Sequence, residues 1–433
     1  MILLAIFIVF AISLIRNYEK TFILIIFLST LLRHFDAFGN SLYLYISLFA
    51  IFLFPFKVKS PSKYIGKFPF IISFLFLMIS WVISNQIGAN KHYLLLISNC
   101  SELICVLCFW IILKRNPIST IQTALKYILI FGGIIAFYAL FETIFRINPY
   151  IGFINRLGLY TNDYVVTEIR FGLKRSQSIF AMHTTNGGIS LAYFCLLLYA
   201  KQHHAIRFSN KICNSIIVLL LCTIFFTGSR AAIIGCAICS LMFFSKKHTN
   251  GRLLFVLIFI ILFVSPFVVD YFQTIYNSII DTKQVSGSNA DMRTLQFEIA
   301  SIFLNKALWF GNGLSYTWEY VLYYYKELYG AESLWIPIMI DQGVLGIFSY
   351  ALFFINCSSF VLRNKQKKML LFILGFLIFN TLSSIPNVPI VFIPIYLMLM
   401  IKIDKFYSVQ NQKYVCKYNN PHLQGREIYT WHA

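Results

Sequence analysis

Residues 168 to 188 read Glu-Ile-Arg-Phe-Gly-Leu-Lys-Arg-Ser-Gln-Ser-Ile-Phe-Ala-Met-His-Thr-Thr-Asn-Gly-Gly and crowd Arg170, Lys174, Arg175 and His183 just ahead of a long apolar run. Such a cluster attracts an anion. Guanidinium forks match phosphate oxygens bidentately, and a lipid-linked phosphate or diphosphate at headgroup level fits them. A simple headgroup contact that anchors the helix is the alternative, and His183 by itself reads as a hydrogen-bonded structural residue. Downstream, Thr227-Gly228-Ser229-Arg230 joins two apolar runs with almost no loop, so a tight hairpin is expected, with Ser229 as the N-cap of the next helix. Arg230 then lies at the positive end of a helix dipole, where a cation is unfavourable unless an anion or a carboxylate compensates it. Unpaired helical N–H groups at such a place bind phosphate. A ligand site is the preferred reading, and pairing of Arg230 with a neighbouring carboxylate such as Glu142 is the other.

A second group follows. Asp291-Met-Arg293 opens a stretch with apolar or aromatic residues at 295, 297, 299, 302, 303 and 304, the pattern of an amphipathic helix, and glycines in Trp309-Phe310-Gly311-Asn312-Gly313 mark a turn after it. Glu332 and Asp341-Gln342-Gly343-Val344-Leu345-Gly346 come next. A carboxylate at the depth of Asp341 is costly and is usually functional or paired. Tyr316, Trp318, Tyr320 and Tyr323 to Tyr325 have the rings to stack on sugars, although interfacial aromatic belts share that composition. No Asp-x-Asp motif and no His/Cys cluster suggests a cation site.

The elements that hold these residues are set by composition. Of 433 residues, 59% are hydrophobic and 18% aromatic, while 12% are charged, against roughly 25% in a soluble domain. A soluble globular fold is excluded, and the chain reads as an all-α, polytopic helical membrane protein. Spans are expected at about 1–15, 21–33, 41–56, 68–87, 92–113, 124–145, 188–200, 212–227, 230–245, 253–269, 335–362, 369–384 and 388–402, twelve or thirteen helices in all. The ten cysteines fall almost entirely inside apolar runs, with no disulfide or zinc-finger spacing. No basic residue precedes Arg16, so the first run is expected to stay as a helix and not to be a cleaved signal.

A net charge of +20 could point to nucleic acid, so its distribution decides. Over alternate gaps between the spans, 24 Lys and Arg fall in one set and 12 in the other. By the positive-inside rule the amino terminus is outside and the carboxyl tail inside. The excess is topology, and nucleic acid is not needed as a partner. Arg146, Arg156, Arg170, Lys174 and Arg175 nevertheless share one outer loop with only Asp163 and Glu168 opposing them. The expected plan is helices over 1–145, a basic extracytoplasmic loop 146–187, helices over 188–269, a second extracytoplasmic loop 270–334 serving as a partly helical lid, helices over 335–402, and a mobile cytoplasmic tail 403–433.

Taken in order, these motifs resemble the bacterial O-antigen ligase and O-antigen polymerase (Wzy-type) superfamily of polytopic glycosyltransferases. The resemblance runs over about 170 to 350. It rests on Arg175-Ser-Gln-Ser-Ile-Phe-Ala-Met-His183, similar to the family's Arg followed by Phe-x-His/Asn-Pro, and on Thr227-Gly-Ser-Arg230. Arg293 heading a loop helix, Gly311-Asn-Gly313, and Glu332 ahead of Asp341-Gln-Gly-Val-Leu-Gly346 complete it. Thr184 stands where the family often has Pro. Ligases usually carry a His in the second loop, where this chain has Glu332 and no His between 270 and 334, which tilts the balance toward a repeat-unit polymerase.

The resemblance implies a GT-C-like bundle that takes an undecaprenyl-diphosphate-linked oligosaccharide and transfers its glycan to a hydroxyl of a glycan or lipid-linked acceptor. It implies that this happens at the outer face of the inner membrane, without a metal or other cofactor. Arg230, Arg293 and Glu332 are the implied catalytic residues, and Arg170, Lys174, Arg175, His183 and Ser229 the implied substrate-binding ones. Fixed arginines at 175, 230 and 293 would stabilise the departing diphosphate. Glu332, ahead of Asp291 and His183, would take the acceptor proton. A flippase and a chain-length regulator of the same pathway are the implied companions. Two other classes compete. A secondary transporter would use Glu102 and Asp341 as coupling residues, but no inverted repeat is visible, and a lipid flippase would place its cations inside the bundle.

Overall fold

A computed structural model describes residues 2–37, 40–59, 61–159, 169–170, 173–243, 290–325, 333–383 and 388–408. Among them the strands are two short hairpins, Asp36–Ala37 with Asn40–Ser41 (β1, β2) and Ile169–Arg170 with Leu173–Lys174 (β3, β4). The rest of the regular structure is helical, and the chain is an all-α polytopic membrane protein.

The first helices are α1 (Ile2–Arg16), α2 (Tyr18–Arg33), α3 (Leu42–Lys57), α4 (Ile71–Ile87), α5 (Tyr93–Arg115) and α6 (Pro117–Phe145). A short α7 (Pro149–Arg156) precedes α8 (His183–Gln202), α9 (Asn210–Phe226) and α10 (Arg230–Ser240). After these come α11 (Ala290–Lys306), α12 (Trp335–Arg363), α13 (Leu370–Thr381) and α14 (Val388–Ile403). A helix stands at every expected span within the described residues, and the expected 253–269 span lies outside them. Proline, which lacks an N–H and is preset in φ, opens α6 and α7. Basic residues close α1, α2, α3, α5 and α12, where the helix dipole favours them. Tyr93–Arg115, Pro117–Phe145 and Trp335–Arg363 are each long and apolar enough to cross a membrane.

Polar ties collect at the two ends of the bundle. At one end Asn116 Nδ2 donates to both oxygens of Glu19 at 3.0 and 2.8 Å, and Gln122 Nε2 donates to the Ala205 carbonyl at 2.8 Å and to the Tyr407 hydroxyl. The stretch Asp404–Ser408 continues α14 as a wide π-type turn, with Asp404 beside His203 at 3.6 Å and taking a hydrogen bond from Gln366. The start of the tail is therefore docked on the bundle through Asp404, and residues 409–433 lie outside the described ones. At the opposite end, called the loop end below, Asp36 N donates to the Leu159 carbonyl at 3.0 Å and Leu334 N to the Asn380 carbonyl at 2.9 Å. Between the ends, Arg33 Nη2 meets Glu102 Oε1 at 2.6 Å and lies 5.4 Å over the Tyr43 ring, locking α2, α3 and α5.

Two close approaches position the loop end. Helices α10 and α13 touch through Gly235 and Gly375: a Cβ on Gly375 would come 2.4 Å from Cys239 Sγ and 2.9 Å from the Gly235 carbonyl. The second is a break in α12, where Gly343 has φ 64° and ψ −156°, a conformation open only to glycine. Into that break docks the turn after α11. Val344 N donates to the Leu308 carbonyl at 2.8 Å, Leu345 N to Trp309 at 3.0 Å, and Asn312 and Gly313 N to Ile340 and Asp341 at 3.0 Å each. Replacing Gly343 with Ala forces a strained φ and puts a methyl 2.6 Å from the Leu308 carbonyl. Gly343→Ala should lower the unfolding free energy of the purified full chain by on the order of 1–3 kcal/mol, read as a lower unfolding midpoint, and an unchanged midpoint would show that the docked turn does not depend on the break.

Candidate active site

The site is built on one carboxylate. Glu142, fully buried near the loop end of α6, accepts hydrogen bonds at Oε2 from Ser176 Oγ at 3.0 Å, Gln177 N at 2.9 Å and Ser178 N at 2.7 Å. Its Oε1 lies 3.2 Å from Lys174 Nζ. Residues 174 to 178 are buried, although their backbone is not helical. Asn186 Nδ2 donates to the Ser176 carbonyl at 3.2 Å, and Ser178 Oγ to Ile135 at 2.9 Å. Lys174 is thus tied into the scaffold by Glu142. Glu142, weighed earlier as a partner for Arg230, organises this segment instead.

That segment delivers Arg175 to the α9–α10 hairpin. Arg175 Nε donates to the Thr227 carbonyl at 3.0 Å and Nη2 to Gly228 at 3.5 Å, while Ser176 N donates to Phe226 at 2.9 Å. Gly228 has φ +59°, and a Cβ there would press within 3.2 Å of Arg175 Cγ and Nε, so the glycine is needed both for the turn and for the arginine. Ser229 caps α10 as expected, its Oγ accepting from Ala232 N at 3.4 Å, and it is buried. Arg230 opens α10 half-exposed, and His183 opens α8.

Arg293, in the first turns of α11, donates from Nη2 to the Leu382 carbonyl at 3.4 Å. Helix α10 runs antiparallel to α13, with Cys239 against Leu371 and Phe372 and Gly235 against Gly375 and Phe379. The same register brings Arg230 to the level of Leu382. Arg175 thus rests on the Thr227–Arg230 hairpin and Arg293 on the end of α13 at the level of Arg230, so the three arginines share the loop end of the bundle. Fixed guanidinium groups in such a place are suited to hold the oxygens of a diphosphate. Among the described residues no three His, Cys, Asp or Glu side chains gather as a metal site.

Other expected residues fall elsewhere. Glu332 lies outside the described residues, and Arg170 and Asp291 are described only in their backbone, in β3 and α11. The amphipathic reading of α11 holds in part: Gln296, Ile299, Ala300 and Phe303 form the buried face, whereas Leu295, Phe297 and Ile302 are exposed. The Gly311–Gly313 turn, part of the loop expected to act as a lid, is docked on another helix. It plugs the break in α12, because its glycines allow contact as close as 2.3 Å from a would-be Cβ to the Asp341 backbone. Asp341 Oδ1 accepts from Thr317 N at 2.7 Å and Thr317 Oγ1 at 2.6 Å, so that carboxylate is paired within the fold. Sequence reasoning missed Asn186 and the organising role of Glu142; a lone carboxylate near the end of an apolar 29-residue helix was the available signal.

Glu142→Ala should cost on the order of 3–5 kcal/mol, since it leaves Lys174 buried without its partner. Adding Lys174→Met should return part of the loss in the unfolding midpoint. A double variant no more stable than Glu142→Ala would mean that the backbone hydrogen bonds, and not the ion pair, carry the effect.

Residues 215–351 match the family model described as O-antigen ligase, and no curated protein matches the chain. The matched stretch runs from within α9 to within α12 and takes in Arg230, Arg293, the Gly311–Gly313 turn and the broken helix at Gly343. The order of its motifs, the helical membrane bundle and the family match all agree, and over residues 215–351 the chain is similar to the O-antigen ligases.

Proposed function

We propose that the protein polymerises undecaprenyl-diphosphate-linked oligosaccharide repeat units into O-antigen, capsular or exopolysaccharide. The work is done at the outer face of the bacterial inner membrane, with the loop end outward, and without a metal ion. The observation that carries this reading is the placing of Arg175 on the Thr227–Arg230 hairpin and of Arg293 on Leu382 at the level of Arg230, all at the loop end. In that role Arg230 and Arg293 stabilise the departing lipid diphosphate, with Arg170, Lys174, Arg175, His183 and Ser229 on the substrate. Glu332 takes the proton of the attacking hydroxyl. Transfer to lipid A-core or another acceptor is the second reading, favoured by the family description. A carrier or flippase has less support, since Glu102 and Asp341 are held in contacts to Arg33 and Thr317.

Deleting the gene and resolving the surface glycan on a gel tests the reaction: one-repeat material is expected, carrier-bound long chains would indicate ligation, and an unaltered ladder would refute both. Arg230→Lys should reduce transfer roughly 100-fold, nearly as much as Arg230→Ala, at normal protein abundance, because a point charge cannot replace a bidentate fork. Full activity of the Lys variant would remove Arg230 from the diphosphate site. Transfer by purified protein should persist in a strong chelator, and a loss that magnesium or manganese restores would overturn the metal-free proposal.

A further inference from the structure

The turn after α11 presents a face that the arginine cluster does not use. Residues Thr317–Val321 form a wide π-type turn, a local form often found at functional sites. Its inner side is fixed, with Thr317 on Asp341 and Val321 buried. Its outer side carries Tyr320, 46% exposed, stacked on Tyr316 with ring centres 5.1 Å apart and planes 27° apart. Phe303 of α11 supports Tyr316 edge-on at 6.1 Å. Glu319 precedes Tyr320 in the same turn, its Oε1 3.6 Å from His92 Nε2 and its Oε2 accepting from Asn90 Nδ2 at 3.1 Å.

An aromatic belt at the lipid interface would be rich in such rings, but a carboxylate 41% exposed next to an imidazole 37% exposed faces water, because lipid contact would be costly for both. A ring face for C–H groups and, in the same turn, an oriented carboxylate with lone pairs to spare are the chemistry that recognises a saccharide. Helix α11 connects this face to the arginines: ten residues separate Arg293 from Phe303, roughly 15 Å at 1.5 Å per residue. We propose that Tyr316, Tyr320, Glu319 and His92 form a saccharide-binding platform. On this proposal, which rests on the transferase reading, the glycan runs along α11 to the platform while its diphosphate is held at the arginine end.

The test uses the full chain in lipid nanodiscs and, as probe, the one-repeat oligosaccharide released from the cell's own carrier by mild acid, which has neither lipid nor diphosphate. Saturation-transfer NMR should show it bound. Tyr320→Ala should weaken binding roughly tenfold, Tyr320→Phe should keep it, and Glu319→Gln should weaken it while leaving the unfolding midpoint unchanged. Arg230→Lys should bind the probe like the unaltered protein. Absence of binding to the unaltered protein, or equal binding by Tyr320→Ala, overturns the platform even if transfer proceeds. Loss of probe binding in Arg230→Lys overturns its independence from the diphosphate site. An unaltered glycan ladder on gene deletion refutes the transferase reading instead, so the two failures are told apart.

Discussion

Non-helical backbone among membrane helices is tolerated only where each N–H and C=O has a partner, since a bilayer offers no water to supply one. In the segment 174 to 178, Glu142 supplies two of those partners, for the N–H groups of Gln177 and Ser178, while Phe226 and Asn186 serve the backbone of Ser176. One buried carboxylate takes two backbone N–H groups, a serine hydroxyl and a lysine ammonium. Without it, the turn that carries Arg175 would leave polar groups stranded in an apolar bundle. Docking of that turn on Phe226, Thr227 and Gly228 then joins the first loop to the α9–α10 hairpin. The loop end of α6, α8, α9 and α10 is in this sense organised by a single side chain.

A second polar junction solves the same problem without a charge. Where α12 breaks at Gly343, the freed backbone groups at 340, 341, 344 and 345 are satisfied by the chain at 308, 309, 312 and 313. Glycines on both sides let two backbones approach more closely than any side chain would allow. The long second loop is thereby seated at its end, with α11 laid along α12 through Ile299, Ala300 and Phe303 against Ile336 and Ile340. Arg293 is carried on an anchored helix, not on a free strand of loop.

Both junctions bear on the proposed chemistry in one way. Electrostatic stabilisation of a leaving group is effective when the donors are already in position and need no reorganisation as charge develops. Arg175 is held by two carbonyls and Arg293 by a third, while Arg230 is set by the capped start of α10. Guanidinium groups fixed in this manner at the end of a membrane bundle can meet a lipid-linked diphosphate without leaving headgroup level.

Much of the fold was legible in the sequence, because apolar length and the 3.6-residue period report directly on helices in a bilayer. The spans, the Ser229 cap and the turn at Gly311–Gly313 all follow from local residue types. The arginines could be singled out for a related reason: cations at helix starts and in an outer loop break local rules, and rule-breaking is visible without a fold. What lay beyond reach was pairing. Lys174 and Arg175 are neighbours of the same charge, yet one is tied to Glu142 and the other to Thr227 and Gly228. Glu142 is 32 positions from Lys174, and Asp341 is 24 from Thr317. Composition and spacing determined the membrane helices and the residues able to do chemistry. Which of those residues brace the fold and which gather at its loop end was decided only by the tertiary structure, because hydrogen bonds and ion pairs depend on distances of about 3 Å between positions far apart in the chain.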